Sequence, residues 1–448
     1  MAQGGSQMKQ TWTDYAKFVE DVMEREHIAG AAIAVAQHGS VLFQKGFGYR
    51  DVEQQLPVTP DTIFGVASVS KSFTAMAIMQ LADAGVLSVD DPVVKYLPEL
   101  RLRGVDDLEN IKIKHLLSHT TGLPPMTRRQ DIATFAEHLD FLANEAYTML
   151  GQPGDYLSYS NDTFLLLGAI IERLTGRIYR KYMTTHLLDA IGMYRSTYSI
   201  EELTRFQDVT VPYMYSEKTG DFVEQQWPAL GNFEVGGGVR SCVTDMLKYG
   251  EVYVNGGKRG DKVIVSPAGL AYMQQPIYRH ARKTSYGSAL QITPDHGGVT
   301  LVEHGGSQEG VASNFGFIPE RGLVVVVLTN TSGASANLLW LAAANTALGL
   351  PLDLARSEEP EYQATAAERE RILGTYSSNE GGNLRAFMQG DELLVELDGQ
   401  QFPARMSGPD TAVYTGKIER PIKFFFKGDE PAWAVFSGLR MLQRTRIS

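Results

Sequence analysis

Segments with strand character stand near both ends of the first ~350 residues of this 448-residue chain, and helical patterning fills the space between them. Ala31–Ala36 and Val41–Phe47 flank a His38-Gly39 turn, and their β-branched and aromatic residues predict a hairpin. Strand patterning returns only at Thr300–Glu303, Val311–Ile318 and Leu323–Leu328, the last two joined by Pro319-Glu320-Arg321-Gly322. Helices are predicted elsewhere. Tyr15, Phe18, Val19 and Val22 recur at helical spacing within Trp12–His27, and Thr74–Ala84 ends before Gly85. From Ile111 to Leu230 helical periodicity outweighs alternation; Phe164–Leu174, closed by Gly176, is its clearest helix, and Ala334–Leu348 ends this part. Strands this far apart in sequence can bury their faces only by pairing with one another. The expected fold is therefore α/β of the α+β kind: an antiparallel sheet built from both ends, flanked by helices, with a mostly helical subdomain inserted. Ligand sites often lie where two such subdomains meet.

After Leu350 the character changes. Pro351–Ala366 reads as a linker, with Pro360 and acidic residues, and Ala367–Ile372 as a short helix. Short alternating segments follow at Leu384–Met388, Glu392–Leu397, Gln401–Arg405, Ile422–Phe426, Ala432–Phe436 and Leu439–Thr445, with turn pairs such as Gly390-Asp391 and Asp398-Gly399. That rhythm predicts a small antiparallel barrel or sandwich. The expected domains are residues 12–350, a linker 351–366, and a β domain 367–448. Phe424, Phe425, Phe426, Trp433 and Phe436 exceed what one thin barrel must bury, so some are expected to face the larger domain or another subunit.

A net charge of −11 repels phosphate backbones, and no basic patch offsets it, so nucleic acid is not an expected partner. One cysteine, Cys242, excludes an internal disulfide and reads as a small buried residue. No apolar run approaches the ~18 residues of a membrane span, so no membrane partner is expected. Met1–Thr11 is polar and Gly-rich without an apolar signal core, which favours the cytoplasm; a signal already removed would leave the same sequence.

Three elements carry chemistry. In Phe64-Gly65-Val66-Ala67-Ser68-Val69-Ser70-Lys71, small residues lead into a helical pattern that puts Lys71 one turn beyond Ser68 on the same face. A helix N-terminus there offers N–H groups to an oxyanion. Ser6-Gln7-Met8-Lys9 has the same spacing without that context. In Pro153-Gly154-Asp155-Tyr156-Leu157-Ser158-Tyr159-Ser160-Asn161, a tight loop can aim a phenol and an amide together. In His304-Gly305-Gly306-Ser307, at the end of a predicted strand, glycines let a ligand backbone approach, and the Ser307 N–H can pair with that of Ser68 as an oxyanion donor.

Together, in this order, these elements resemble the serine β-lactamase and penicillin-binding-protein superfamily, in particular its class C-like branch of S12-type D-aminopeptidases, carboxypeptidases and esterases. Phe43-Gln44-Lys45-Gly46-Phe47-Gly48-Tyr49, His115-Leu116-Leu117-Ser118-His119-Thr120-Thr121-Gly122-Leu123 and Gly236-Gly237-Gly238-Val239-Arg240-Ser241 look like that family too. The resemblance spans residues 12 to 350. It implies that Ser68 is the nucleophile, that Lys71 and Tyr159 share base and acid duty, and that Asn161, His304, Gly305, Gly306 and Ser307 bind substrate. No cofactor is implied. His115 and His119 stand four apart, but Leu-Leu-Ser between them and the lack of a third ligand favour packing over zinc.

One departure matters. His304 stands where true class C β-lactamases carry lysine, and a histidine is mostly neutral at pH 7. The expected reaction is cleavage of amides or esters in small peptides or esters, D-amino-acid peptides among them. The alternatives are a β-lactamase and a penicillin-binding sensor or scaffold without turnover. The C-terminal domain resembles the lipocalin-like barrel of self-assembling D-amino-acid peptidases, which implies a homo-oligomer built through it. Because all three elements precede the linker, a chain ending near Leu350 is expected still to acylate Ser68.

Overall fold

The computed structural model describes residues 11–445 apart from Arg128, Gln130, Asn232, Phe233 and Lys417. Ser6–Lys9 and most of the polar N-terminal stretch lie outside these residues. The chain forms two compact units. The first comprises residues up to Ser88, Leu167–Ile277 and Tyr286–Arg356; the second comprises Val89–Leu166, Tyr278–Ser285 and residues from Ser357 on.

The first unit is organised by an antiparallel sheet drawn from both ends of the sequence. Its six longest strands are β1 (Gly30–Gln37), β2 (Ser40–Asp51), β3 (Gln291–His296), β4 (Val299–Gln308), β5 (Val311–Ile318) and β6 (Leu323–Thr329), in the order β3-β4-β5-β6-β1-β2. The sequence ends meet where β1 pairs with β6, Ala31 opposite Thr329 and Val35 opposite Val325. Both central strands are buried along nearly their whole length. That explains why Leu323–Leu328 reads as an unbroken apolar run instead of an alternating one.

Helices cover both faces. On one, Ile33, Val35, Val325 and Val327 share a core with α1 (Trp12–Glu26) and a C-terminal helix, Ala336–Leu348. Trp340 anchors that helix by donating its indole N–H to the Val325 carbonyl at 2.9 Å. On the other face the helix Val243–Val254 approaches so closely that a Cβ on Gly250 would lie 2.2 Å from a Val324 methyl. α2 (Ser70–Asp83) is buried nearly all round, so its sequence lacks a polar stripe.

In the second unit, a helix Phe135–Asn144 begins at a Thr134–Glu137 capping box. Eight strands close into a barrel: Gly374–Ser377, Asn383–Gln389, Glu392–Leu397, Gln400–Gly408, Thr411–Thr415, Glu419–Phe425, Ala434–Ser437 and Arg440–Arg444. Phe424 fills the barrel core with Tyr376, Val395 and Leu442. Phe425 and Trp433 instead set their rings edge-on to Tyr156, with centroids 5.4 and 5.5 Å away. Among the described residues, no helix is long and apolar enough to cross a membrane.

Three expectations need correction. The His304–Ser307 box lies inside β4, which runs on to Gln308, instead of following the strand's end. The stretch read as helical contains a hairpin, Tyr213–Ser216 with Asp221–Glu224. The barrel has two strands the alternation did not reveal, Gly374–Ser377 and Thr411–Thr415.

Candidate active site

Ser68 sits in a 3₁₀ turn, Ala67–Val69, that runs directly into α2. Two neighbours fix that turn. Phe64 and Gly65 pair with Ser241 and Arg240, and Val66 donates its N–H to the Val239 carbonyl at 3.0 Å. The Val239 N–H in turn donates to Ser70 Oγ at 3.0 Å. Ala67 is left-handed, with φ 46°, a conformation that costs a non-glycine residue free energy and is held here by these bonds. Ser68 is half-buried at this strained corner.

One helical turn on, Lys71 is fully buried. Its Nζ lies 3.3 Å from Ser68 Oγ and donates to the Gly236 carbonyl at 3.0 Å. Thr74, one turn further, donates to the Val235 carbonyl at 2.7 Å. The Gly236–Ser241 stretch is thus the scaffold of the Ser68 turn, a role that its composition did not disclose.

The histidine box flanks the same turn. A Cβ on Gly306 would fall 2.3 Å from the Val66 carbonyl oxygen and 3.1 Å from the Ala67 Cβ, so only glycine lets β4 run this close to the Ser68 turn. His304 is buried and its Nε2 lies 2.9 Å from the Tyr286 hydroxyl, while Nδ1 lies 2.6 Å from the Gly305 carbonyl. A carbonyl only accepts, so Nδ1 carries the proton and Nε2 accepts from Tyr286. Burial, with the Lys71 charge nearby, holds the imidazole down at about 3. His304 is therefore neutral at physiological pH. Ser307 is exposed on the same strand, paired opposite Ala312.

Tyr159 and Asn161 belong to the second unit. Asn161 begins the helix Asn161–Thr175 and is buried. Tyr159 precedes it on a loop tied to the His115–Gly122 stretch. Ser158 donates its N–H to the His119 carbonyl at 2.9 Å, and Ser160 donates its N–H to His119 Nδ1 at 3.2 Å. The His119 ring lies 4.0 Å from that of Tyr159, centroid to centroid. His115 Nδ1 accepts the Lys112 N–H at 3.1 Å. These two histidines serve backbone capping and ring packing. The barrel holds the loop as well: Tyr159 donates its N–H to the Leu439 carbonyl at 2.7 Å.

Cys242 is buried, and burial pushes its thiol upward, away from the reactive thiolate.

The sequence profile described as "Beta-lactamase" matches residues 15–348. The chain belongs to the β-lactamase family. That fold class supports serine hydrolase or acyl-transfer chemistry at the family level. The Bacillus subtilis (strain 168) penicillin-binding protein 4* is 24% identical over 416 residues, 88% of this chain and 89% of that one. Protein flp of Staphylococcus aureus (strain MW2) is 34% identical over 185 residues; the match covers 40% of this chain and only 37% of that protein's length. Among solved structures, the octameric penicillin-binding protein homologue from Pyrococcus abyssi superposes with a TM-score of 0.72 at 28% identity, covering 97% of this chain and 100% of that one.

Proposed function

We propose that this protein is a serine hydrolase that cleaves amide or ester bonds of small peptides or esters, D-amino-acid peptides among them, through an acyl-enzyme on Ser68. The observation that carries the reading is the fully buried Lys71 Nζ at 3.3 Å from Ser68 Oγ, on a turn held from both sides. In this scheme Ser68 Oγ attacks the substrate carbonyl as its proton passes to Lys71, which acts in the neutral amine form that alone can accept it. The tetrahedral oxyanion takes hydrogen bonds from the Ser68 and Ser307 N–H groups. Lys71 and Tyr159 return the proton to the leaving group, and the same pair activates the water that releases the acyl group. Asn161 and the His304–Gly306 strand bind the substrate.

The buried, neutral His304 favours acyl donors that need no cation at that position, which weighs against a β-lactamase. The Pyrococcus abyssi homologue is octameric, which, with the barrel present in this chain, supports a homo-oligomer.

The experiment is labelling with a fluorophosphonate followed by peptide mass mapping, paired with turnover of p-nitrophenyl esters, D- and L-aminoacyl amides and a chromogenic cephalosporin. An adduct on the Ser68 peptide, lost in Ser68→Ala, with ester or amide turnover well above cephalosporin turnover, is expected. An adduct elsewhere refutes the mechanism. A Ser68 adduct without turnover of any substrate makes the protein a penicillin-binding sensor, and efficient cephalosporin hydrolysis makes it a β-lactamase.

A further inference from the structure

The eight-stranded barrel reaches back to the loop that carries Tyr159. Its last hairpin, Ala434–Ser437 with Arg440–Arg444, turns through Gly438 and Leu439. Both turn residues are left-handed, φ 55° and 67°. A two-residue turn of this kind favours glycine or asparagine at its second position, and a leucine there is held against its preference. That conformation coincides with the contact already described, in which the Leu439 carbonyl accepts the Tyr159 N–H. The next residues continue it. Met441 N–H approaches Ser158 Oγ at 3.4 Å, and the Arg440 guanidinium lies 4.9 Å from the centre of the Tyr159 ring. Arg440 is aimed by a fork onto Glu380, with Nε and a terminal nitrogen at 2.8 and 3.0 Å from its two oxygens. Glu380 and Arg440 are mostly buried, their side chains 11% and 31% exposed.

We propose that Arg440 is a positioning residue for Tyr159, supplied by the barrel: the Leu439 carbonyl fixes the loop, and the guanidinium over the ring fixes the phenol and stabilises negative charge on it as its proton moves. This rests on the reading that Tyr159 transfers a proton during catalysis. A cation over an aromatic face is attracted to it, and more strongly where water is excluded. The fork onto Glu380 keeps that cation in one place. The barrel is then part of the catalytic apparatus, and an element 281 positions from Tyr159 in sequence governs its rate.

The test uses the full-length protein and a p-nitrophenyl ester, with kcat and KM measured separately and the melting temperature of each variant recorded. Arg440→Gln is expected to lower kcat about tenfold, within the range of such a contact, with little change in KM. Arg440→Lys keeps the cation and is expected to recover most of the loss. Glu380→Gln disturbs the fork but leaves the cation, so it is expected to cost less than Arg440→Gln. In a Tyr159→Phe background, Arg440→Gln is expected to add nothing further. The proposal is overturned if Arg440→Gln keeps wild-type kcat, if Glu380→Gln costs as much, or if the Arg440 and Tyr159 losses multiply. Full kcat in Tyr159→Phe alone would instead refute the acid–base reading of Tyr159 on which the proposal stands.

Discussion

Gly306→Ala is the sharpest single perturbation of the Ser68 turn. The added Cβ would stand 2.3 Å from the Val66 carbonyl oxygen and 2.4 Å from Ser313 Oγ. Those two atoms are hydrogen-bonded to each other at 2.8 Å, so neither can retreat alone. Ordinary contact requires β4 and the Val66–Ser68 turn to separate by about 1 Å. A misplacement of about 1 Å at a reacting group can cost ~10²-fold in rate, and overpacking of this kind typically costs ~1–3 kcal/mol of stability. The expected result is a ~10²-fold slower acylation of Ser68 with a modest fall in melting temperature, read from the stopped-flow burst of a p-nitrophenyl ester. Gly305→Ala is the control. Its Cβ would meet only the Asn337 Oδ1 end at 2.9 Å, which can rotate away at the expense of one hydrogen bond from Asn314, about 1 kcal/mol. If Gly306→Ala acylates at the wild-type rate, or if Gly305→Ala slows the burst as much, close strand approach is not what holds Ser68.

Two further outcomes are expected. On the proposed reading, Lys71→Ala and Tyr159→Phe are each expected to lower kcat by ~10² or more, and the double variant to fall short of the product of the two losses; purely multiplicative losses in steady-state kinetics would separate their roles. His304 resists protonation in the folded chain down to about 3 whereas the unfolded chain accepts the proton near its ordinary 6.5, so its stabilisation is complete above pH 6.5 and drains as pH falls toward 3. His304→Gln should flatten that acid loss in urea titrations; His115, lowered to about 4 mainly by burial, contributes equally to both proteins, and an unchanged pH slope would remove His304 from the account.

The sheet and the helix that follows Ser68 were legible because their signals are local. A buried central strand such as Leu323–Thr329 announces itself by composition, and Ser68 and Lys71 are one helical turn apart. The hairpin Tyr213–Ser216 with Asp221–Glu224 escaped because its residues are largely solvent-facing and carry no alternation. Gly374–Ser377 escaped because it is four residues long and starts at a left-handed glycine. The ends of β4 misled because the two glycines that suggest a turn sit in regular pairing, Gly305 opposite Asn314 and Gly306 opposite Ser313. The supports of the site were the least legible. Gly236 contributes a carbonyl, which any residue has, and Arg440 is one arginine among many until the fold sets it against Tyr159. The backbone bond from Tyr159 to Leu439 joins residues far apart in sequence, and no local pattern announces it.

The pairing of Ala31 with Thr329 has a consequence for biosynthesis. While the chain is being made, the N-terminal hairpin leaves the ribosome long before the strand that must lie beside it. At about 5–20 residues per second, the intervening stretch of almost 300 residues takes roughly 15–60 s to appear. Throughout that interval the apolar strand Gly30–Gln37 presents an unpaired edge, the kind of surface that recruits holdase chaperones or neighbouring nascent chains. Pulsed proteolysis of stalled nascent chains should therefore find this hairpin protected only once residues beyond Thr329 have cleared the exit tunnel.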